Sequence, residues 1–265
     1  MEMKYLMDYY NNKDEEGRLG TRYGSVEFLT TMRYIQRYLR PNSKIIEIGA
    51  GTGRYSHAIA RMGNEVDAVE LVPRNIDVFS KNTQIDETIT ITQGNALDLN
   101  GFADSAYDIT LLLGPLYHLF SQKDKRQAIS EAIRVTKQGG VVFAAYCISD
   151  GSLLHGGFNK KSFNIMEFIK NGFIDPETFT TRSTPELIFE LVRKEDIDEL
   201  MSVFPTTRLH YVATDGYAVH MKEALEEMDD EMFALYLKYH FTTCERGDMV
   251  GLTNHSLDIF EKKGL

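Results

Sequence analysis

Three glycines at alternate positions, Gly49, Gly51 and Gly53, follow an isoleucine-rich run at positions 45–48. The pattern after residue 54 is helical, so the glycines lie in a predicted strand–turn–helix connection. Because glycine has no Cβ, such a turn can bring backbone N–H groups and a helix N-terminus close to a ligand. The sequence therefore indicates a site for a nucleotide-like ligand, and a tight turn without a ligand is the plainer alternative.

Two acidic residues refine the expected ligand. Glu70 ends the apolar run 66–70, where a carboxylate can hold a ribose diol. A dinucleotide site has the spacing Gly-x-Gly-x-x-Gly, whereas the third glycine comes one residue early here. Glu47, just before the turn, would repel a pyrophosphate but could attract an amino or sulfonium cation, directly or through water. These features favour S-adenosylmethionine over NAD, and an NAD-linked oxidoreductase is the less favoured alternative.

From about residue 41 to residue 147, the sequence resembles the class I S-adenosylmethionine-dependent methyltransferases. The resemblance is weaker in the rest of the chain. Residues 47–53 resemble their first motif, and Glu70 matches the acid that holds the ribose hydroxyls. Residues 93–99 resemble the segment whose polar residue contacts the adenine. In that segment Asn95 stands where the family usually has aspartate, and its amide oxygen can still accept from an adenine amino group.

Two further segments, 107–118 and 134–143, resemble the fourth strand with its following loop and the turn into the fifth strand. The resemblance implies S-adenosylmethionine as the cofactor and S-adenosylhomocysteine as the product. The cofactor-binding residues that it implies are Glu47, Gly49, Ala50, Gly51, Gly53, Tyr55, Glu70, Leu71, Asn95, Ala96, Leu113 and Gly114.

The loop after the fourth predicted strand is the place where the transferred methyl group is expected, because ligands of open α/β sheets bind at the carboxyl ends of the strands. Methylases of amide or exocyclic nitrogens carry Asn/Asp-Pro-Pro-Tyr here, but this chain has Gly114, which offers no side-chain acceptor. An adenine or glutamine amide acceptor is therefore disfavoured. Tyr117 and His118 are candidates for a general base or a substrate contact. Alternatively, they open a helix and pack on the cofactor.

The N-terminal segment is polar and aromatic, with Tyr9, Tyr10, Arg18 and Arg22 placed as if to cover a bound cofactor. This segment could be a mobile lid over the cofactor or a solvated terminus, and the sequence favours neither interpretation over the other.

No metal site is expected, because His240, Cys244 and His255 match no metal-binding spacing.

Composition narrows the class of protein. The chain has 265 residues, a net charge of −10 and two cysteines. The acidic balance argues against a nucleic-acid partner, which needs clustered lysine and arginine. Two cysteines do not form a disulfide framework, and no apolar run is long enough to cross a membrane. We therefore expect a cytoplasmic protein, a monomer or homodimer, with a small-molecule acceptor and no membrane partner.

The elements that would position these residues alternate along the chain. Strands are predicted near residues 44–48, 65–70, 88–92, 107–113, 140–147, 209–213 and 255–260, the last as an edge hairpin strand. Helices are predicted near residues 26–39, 54–62, 73–82 and 122–136. A further helix is predicted to begin near residue 194, and one long helix is predicted over residues 221–240. The expected fold is α/β and doubly wound, with a mostly parallel seven-stranded sheet, helices on both faces and an antiparallel last strand.

We expect a single methyltransferase domain over residues 1–265. Residues 1–40 would form an N-terminal helical or lid segment and 41–148 the cofactor-binding core. Residues 149–192 would be an insertion on the substrate side after the fifth strand, and 193–265 would complete the sheet. The expected function is methyl transfer to a small molecule by in-line displacement. The alternative is a catalytically inactive, S-adenosylmethionine-binding regulatory or assembly protein.

Overall fold

A computed structural model describes residues 2–12 and 20–264. Within them, one sheet contains eight strands. They are β1 (Lys44–Ile48), β2 (Glu65–Glu70), β3 (Ile89–Gln93), β4 (Tyr107–Leu112), β5 (Thr136–Ile148), β6 (Leu191–Val192), β7 (Thr206–Ala213) and β8 (His255–Lys262). The strand order is β3-β2-β1-β4-β5-β8-β7, and the short β6 pairs with the end of β5.

Strands β1 to β6 pair with one another in parallel, whereas β8 is antiparallel to both of its neighbours, β5 and β7. The expected α/β fold, with a mostly parallel sheet and an antiparallel last strand, is confirmed. The sheet has eight strands rather than seven because the two-residue β6 is added. The prediction that residues 255–260 form an edge strand is wrong, since β8 lies between β5 and β7.

The helices connect the strands and cover both faces of the sheet. In the described residues they are α1 (Glu2–Asn12), α2 (Arg22–Tyr38), α3 (Arg54–Ala60), α4 (Pro73–Asn82), α5 (Gln122–Val135), α6 (Ser149–Ser152), α7 (Ile165–Lys170), α8 (Lys194–Met201), α9 (Lys222–Glu227), α10 (Asp230–Thr243) and α11 (Gly247–Val250). A π-helix spans Leu153–Asn159, and short 3₁₀ turns span Pro115–His118, Pro185–Leu187 and Gly216–Met221.

The long helix predicted over 221–240 is divided into α9 and α10. Met228 is extended, and the side chain of Asp229 accepts a hydrogen bond of 2.8 Å from the amide of Met232. An aspartate in this position satisfies one of the free N–H groups at a helix start. The cap therefore begins a new helix at Asp230 and turns the chain.

The core lies on both faces of the sheet. Ile46 and Ile48 of β1 pack with α5 and α8 on one face, while Ile45 packs with α2 and α3 on the other. Successive strand residues point to opposite faces, so a strand that is buried on both sides is apolar along its length. Each fully buried isoleucine contributes roughly 1.5–3 kcal/mol. This rigid centre holds the loops at the carboxyl ends of β1 to β4.

Across the described part of the chain, none of the helices combines the length and the apolar character that crossing a membrane requires.

Candidate functional site

A cavity of about 670 Å³, called the first cavity below, lies at the carboxyl ends of four neighbouring parallel strands. Its walls come from the segments that follow β1, β2, β3 and β4. The predicted site residues that line it are Glu47, Gly49, Ala50, Gly51, Tyr55, Glu70, Leu71, Asn95, Ala96, Leu113, Gly114, Tyr117, His118 and Tyr10. The fold therefore brings together most of the residues that the sequence indicated.

The glycines of the loop after β1 have different structural tasks. The φ angles of Gly51 and Gly53 are +58° and +91°, a region that other residues rarely adopt. A Cβ at Gly51 would meet nothing within 4 Å, so the backbone there faces open space. A Cβ at Gly53 would lie 2.5 Å from the Phe79 ring. The prediction that Gly53 touches a ligand is therefore not supported, because this residue makes room for core side chains and does not line the cavity.

Glu70 holds the glycine loop and faces the first cavity. Its Oε2 accepts a hydrogen bond of 2.8 Å from the amide of Gly51. Its Oε1 accepts from the amide of Val72 at 2.8 Å and from the side chain of Asn75 at 3.2 Å. A carboxylate offers about four acceptor positions, so about one is left for a ligand hydroxyl. This is fewer than the two ribose hydroxyls that we expected Glu70 to accept.

Glu47 is a buried carboxyl at the end of β1. Its Oε2 accepts hydrogen bonds from the amide of Ser56, at 2.9 Å, and from the Ser56 hydroxyl. Burial raises the pKa of Glu47 to about 8, the two bonds from Ser56 oppose this rise, and the charge of Glu70 adds to it. A cation beside Glu47 would favour its ionised form. Binding of a cationic group here is therefore linked to loss of a proton.

Asn95 begins a tight turn after β3. Its Oδ1 accepts a hydrogen bond of 3.0 Å from the amide of Leu97, as in an Asx turn. One of the two lone pairs of this oxygen is therefore engaged, and the other can still accept from a ligand. Ala96 lines the cavity beside it.

The loop after β4 carries Tyr117 and His118. The Tyr117 hydroxyl donates to the carbonyl of Leu113 at 2.9 Å. Nδ1 of His118 lies 2.8 Å from the carbonyl of Ile188 and Nε2 lies 2.8 Å from the hydroxyl of Tyr10. Because a carbonyl can only accept, we assign the proton to Nδ1, which leaves Nε2 of the neutral ring to accept from Tyr10.

Of the four N-terminal residues predicted to cover the ligand, Tyr10 lines the first cavity. Tyr9 does not, and it packs edge-on against Tyr10 and Phe189, with ring centroids 5.1 and 5.5 Å apart. Arg22 forms an ion pair with Asp230 at 2.8 Å instead of reaching the cavity. Arg18 lies outside the described residues. The lid prediction is therefore corrected for Tyr9 and Arg22, which are held by other parts of the chain.

A second cavity, of about 480 Å³, adjoins the first, and Tyr10 and Tyr117 line both. Its walls come from the segment between β5 and β6, from the segment between β7 and the start of α9, and from the start of β8. Most of its lining residues come from the segment 149–192, which we expected to be an insertion on the substrate side. Residue types and spacing did not indicate the contributions of Tyr10, Lys222 and His255, because these residues are far apart in the sequence.

His255, Asp215 and Glu27 form a partly buried charged cluster beside the second cavity. Nδ1 of His255 lies 3.0 Å from Asp215 and 3.6 Å from Glu27. Burial opposes the charged form of His255, but Glu27 and Asp215 hold its pKa well above the usual range. The ligand atoms of these three residues lie within 4.8 Å of one another, so they could also hold a metal ion.

The other two residues considered for a metal site lie elsewhere. His240 contacts the Thr30 hydroxyl at 3.0 Å, and Cys244 lies 3.5 Å from the hydroxyl of Tyr34. The sequence did not indicate the cluster of His255 with Asp215 and Glu27, because these two residues come from distant segments.

Comparisons with known proteins agree with this architecture. Residues 46–144 match the family model described as a methyltransferase domain. The chain is 28% identical over 164 residues to a ribosomal protein L11 methyltransferase from Geobacillus thermodenitrificans, covering 56% of this chain and 49% of that protein. It is 30% identical over 132 residues to a ubiquinone biosynthesis O-methyltransferase from Methylocella silvestris, covering 48% of each chain. The chain thus spans about half the length of these curated relatives.

Among solved structures, the chain is similar to an S-adenosylmethionine-dependent methyltransferase from Methanosarcina mazei. The TM-score is 0.56 and the identity 18%, covering 87% of this chain and 97% of the other. At this identity the likeness concerns the fold. The family match shows a methyltransferase domain over residues 46–144, and the structural likeness shows the expected fold.

Proposed function

We propose that this protein transfers a methyl group from S-adenosylmethionine to a small molecule held in the second cavity, because residues 46–144 match a methyltransferase domain. The observation that carries the proposal is the wall that the two cavities share, formed by Tyr10 and Tyr117. In-line displacement requires the nucleophile and the methyl group to meet at one point, and positioning supplies much of the rate. Two adjoining cavities provide such a meeting point.

The first cavity fits the cofactor by the chemistry of its walls. Glu47, Glu70 and Asn95 line this cavity. Glu47 would face the cationic group of the cofactor, Glu70 would accept from a ribose hydroxyl, and Asn95 would accept from the adenine amino group. The backbone at Gly51 faces open space that a side chain would fill. S-adenosylmethionine, when bound, supplies an electrophilic methyl group.

The pair Tyr10–His118 supplies a path for the proton that a protonated nucleophile must lose. The acceptor would give its proton to the oxygen of Tyr10 while the Tyr10 hydroxyl passes its own proton to Nε2 of His118, 2.8 Å away. His118 then becomes an imidazolium, and its Nδ1–H still donates to the carbonyl of Ile188. This role modifies the expectation that His118 acts directly on the acceptor, because Tyr10 stands between them.

A small acceptor is favoured by the size of the second cavity. A volume of about 480 Å³ lies within the 300–1,000 Å³ that is typical of small-ligand sites. The net charge of −10 disfavours a nucleic-acid acceptor, because the phosphate backbone requires clustered cations. A protein acceptor is the main alternative, since one relative is a ribosomal protein L11 methyltransferase.

The test measures S-adenosylhomocysteine binding by calorimetry and S-adenosylhomocysteine release with a panel of phenols, amines, carboxylates, peptides, tRNA and DNA. We expect binding together with turnover on at least one small molecule. Turnover on peptides or nucleic acids alone would contradict the small-molecule acceptor. Binding without turnover on any acceptor would instead favour the inactive regulatory protein.

A further inference from the structure

Two groups of aromatic rings line the second cavity. In one group the rings of Phe163 and Phe168 have centroids 4.9 Å apart, and those of Phe168 and Phe173 are 5.6 Å apart. In the other group the ring of Phe189 lies 6.0 Å from that of Tyr117. All of these side chains line the cavity. Flat apolar walls favour a planar ring between them, because aromatic rings gain from edge-to-face and offset contacts in addition to burial.

Two cationic side chains line the same cavity without an acidic partner. Within residues 2–12 and 20–264, neither Lys222 nor Arg182 has a carboxylate oxygen within 4.0 Å. Lys222 is half-buried, and its ammonium lies 4.2 Å from the centroid of the Tyr23 ring. Arg182 is exposed, so it stands where the cavity opens to solvent. The nearby Lys160, by contrast, is paired with Glu223 at 2.6 Å.

The acidic side chain in the wall, Asp215, is already engaged by hydrogen bonds and by the ring of His255. Asp215 accepts from the Thr253 hydroxyl, from the amides of Asn254 and His255, and lies 3.0 Å from the His255 ring. These four contacts engage both carboxylate oxygens. Asp215 therefore does not compensate the charge of Lys222 or repel an incoming anion strongly.

His155 responds to the local charge and offers a polar contact. Its Nδ1 is buried and, among the described residues, has no hydrogen-bond partner. Burial, and then the positive charge of Lys222, lower the pKa of His155 to about 4, so the ring is neutral at pH 7. A neutral imidazole can donate or accept one hydrogen bond at Nδ1, depending on the tautomer.

From these contacts we propose that the second cavity selects a small aromatic carboxylate, with the ring between the phenylalanine walls and the carboxylate at Lys222 and Arg182. His155 would then contact a carboxylate oxygen, and the opposite end of the ring would face Tyr10 and Tyr117. The proposal rests on the proposed function, because it names the acceptor class of that site. An ion pair from which water is partly excluded is favourable here because, among the described residues, neither cation has a carboxylate oxygen within 4.0 Å.

The experiment compares 4-hydroxybenzoate with 4-hydroxybenzamide, which has the same shape but no charge. Binding of each is measured by calorimetry with S-adenosylhomocysteine present. We expect the carboxylate to bind at least about tenfold more tightly, as one charge-assisted hydrogen bond provides. Lys222→Gln should remove most of this preference, Arg182→Gln should reduce it, and Lys222→Arg should keep it. The control Lys160→Gln should leave it unchanged.

Equal binding of the two compounds, binding of neither, or a preference that survives in the double variant Lys222→Gln/Arg182→Gln would overturn the proposal. Measuring S-adenosylhomocysteine binding to each variant distinguishes a wrong acceptor class from a failure of the proposed function. If S-adenosylhomocysteine binds to every variant while the charge preference is absent, the acceptor class is wrong and the cofactor site stands. If it does not bind to the unaltered protein, the proposed function fails first.

Discussion

The hydroxyl of Tyr10 lies 2.8 Å from Nε2 of His118, although 108 residues separate them in the sequence. The contact joins α1 to the loop after β4, at the wall between the two cavities. The bond from Nδ1 of His118 to the carbonyl of Ile188 fixes the orientation of the ring. A phenol and an imidazole are therefore arranged so that a proton can pass from one to the other.

Replacing Tyr10 by phenylalanine should remove this path. We expect kcat to fall by about 10²–10⁴-fold, the usual contribution of a general base, with little change in S-adenosylhomocysteine affinity. His118→Ala should produce a similar loss, and the remaining rate should rise with pH as the acceptor loses its proton in solution. The measurement is the pH profile of kcat for both variants.

The matched control for that experiment is Tyr9→Phe, because Tyr9 packs on Tyr10 but does not line the first cavity. Its kcat should be close to that of the unaltered protein. Equal losses in the Tyr9 and Tyr10 variants would mean that the helix, rather than the hydroxyl, matters.

Glu70→Gln should weaken cofactor binding. The carboxylate is placed to accept from a ligand hydroxyl, and a charge-assisted hydrogen bond is worth roughly 1.5–3 kcal/mol, or at least about tenfold in affinity. Calorimetry with S-adenosylhomocysteine measures the change, and thermal unfolding shows whether the glycine loop is still held. Glu65→Gln, on the exposed end of the same strand, is the control. Unaltered affinity in Glu70→Gln would exclude the assigned ribose contact.

Glu47 should make both binding and stability depend on pH. If Glu47 contacts the cofactor's cationic group, binding near pH 7 should release a proton, because the pKa of Glu47 is about 8. Calorimetry in two buffers of different ionisation enthalpy detects this release, which should be absent in Glu47→Gln. Proton release of equal size in the variant would show that another group titrates.

The sign of the stability effect follows from the same shift. The folded state retains the Glu47 proton between the ordinary pKa of 4.5 and the raised value of about 8. The unfolded state has lost that proton in this pH range. The contribution of Glu47 to the free energy of unfolding therefore falls as pH rises through this window. The fall should be smaller in Glu47→Gln, as measured by denaturant unfolding from pH 5 to 8.5.

Alanine at Gly51 and at Gly53 should have different consequences. At Gly51 the added methyl meets no atom within 4 Å, but φ is +58°, so we expect a loss of about 1–2 kcal/mol in stability and weaker cofactor binding. At Gly53 the methyl would lie 2.5 Å from the Phe79 ring. We therefore expect a larger loss of stability for Gly53→Ala than for Gly51→Ala. Thermal unfolding and S-adenosylhomocysteine calorimetry on both variants test this order, and a more stable Gly53→Ala would contradict it.

Local patterns predicted the elements around the cofactor site well. The bounds predicted for β1, β2 and α4 match the structure, because apolar runs, glycine turns and helix starts are local signals. Asp229 is also a local signal that could have divided the predicted helix over 221–240, since aspartate is a strong helix N-cap. The position of β8 inside the sheet was not predictable in this way, because an alternating strand pattern does not identify its neighbours.

The sequence by itself determined the fold class, the glycine loop, the two acidic residues Glu47 and Glu70, and the type of cofactor, since these depend on residues that are close in the chain. Only the tertiary structure decided that Tyr10 reaches His118, that Arg22 pairs with Asp230, and that Lys222 and Arg182 share one cavity. The physical reason is that such contacts depend on how distant segments pack. Many packings satisfy the same local pattern, and burial of the shared core selects one of them.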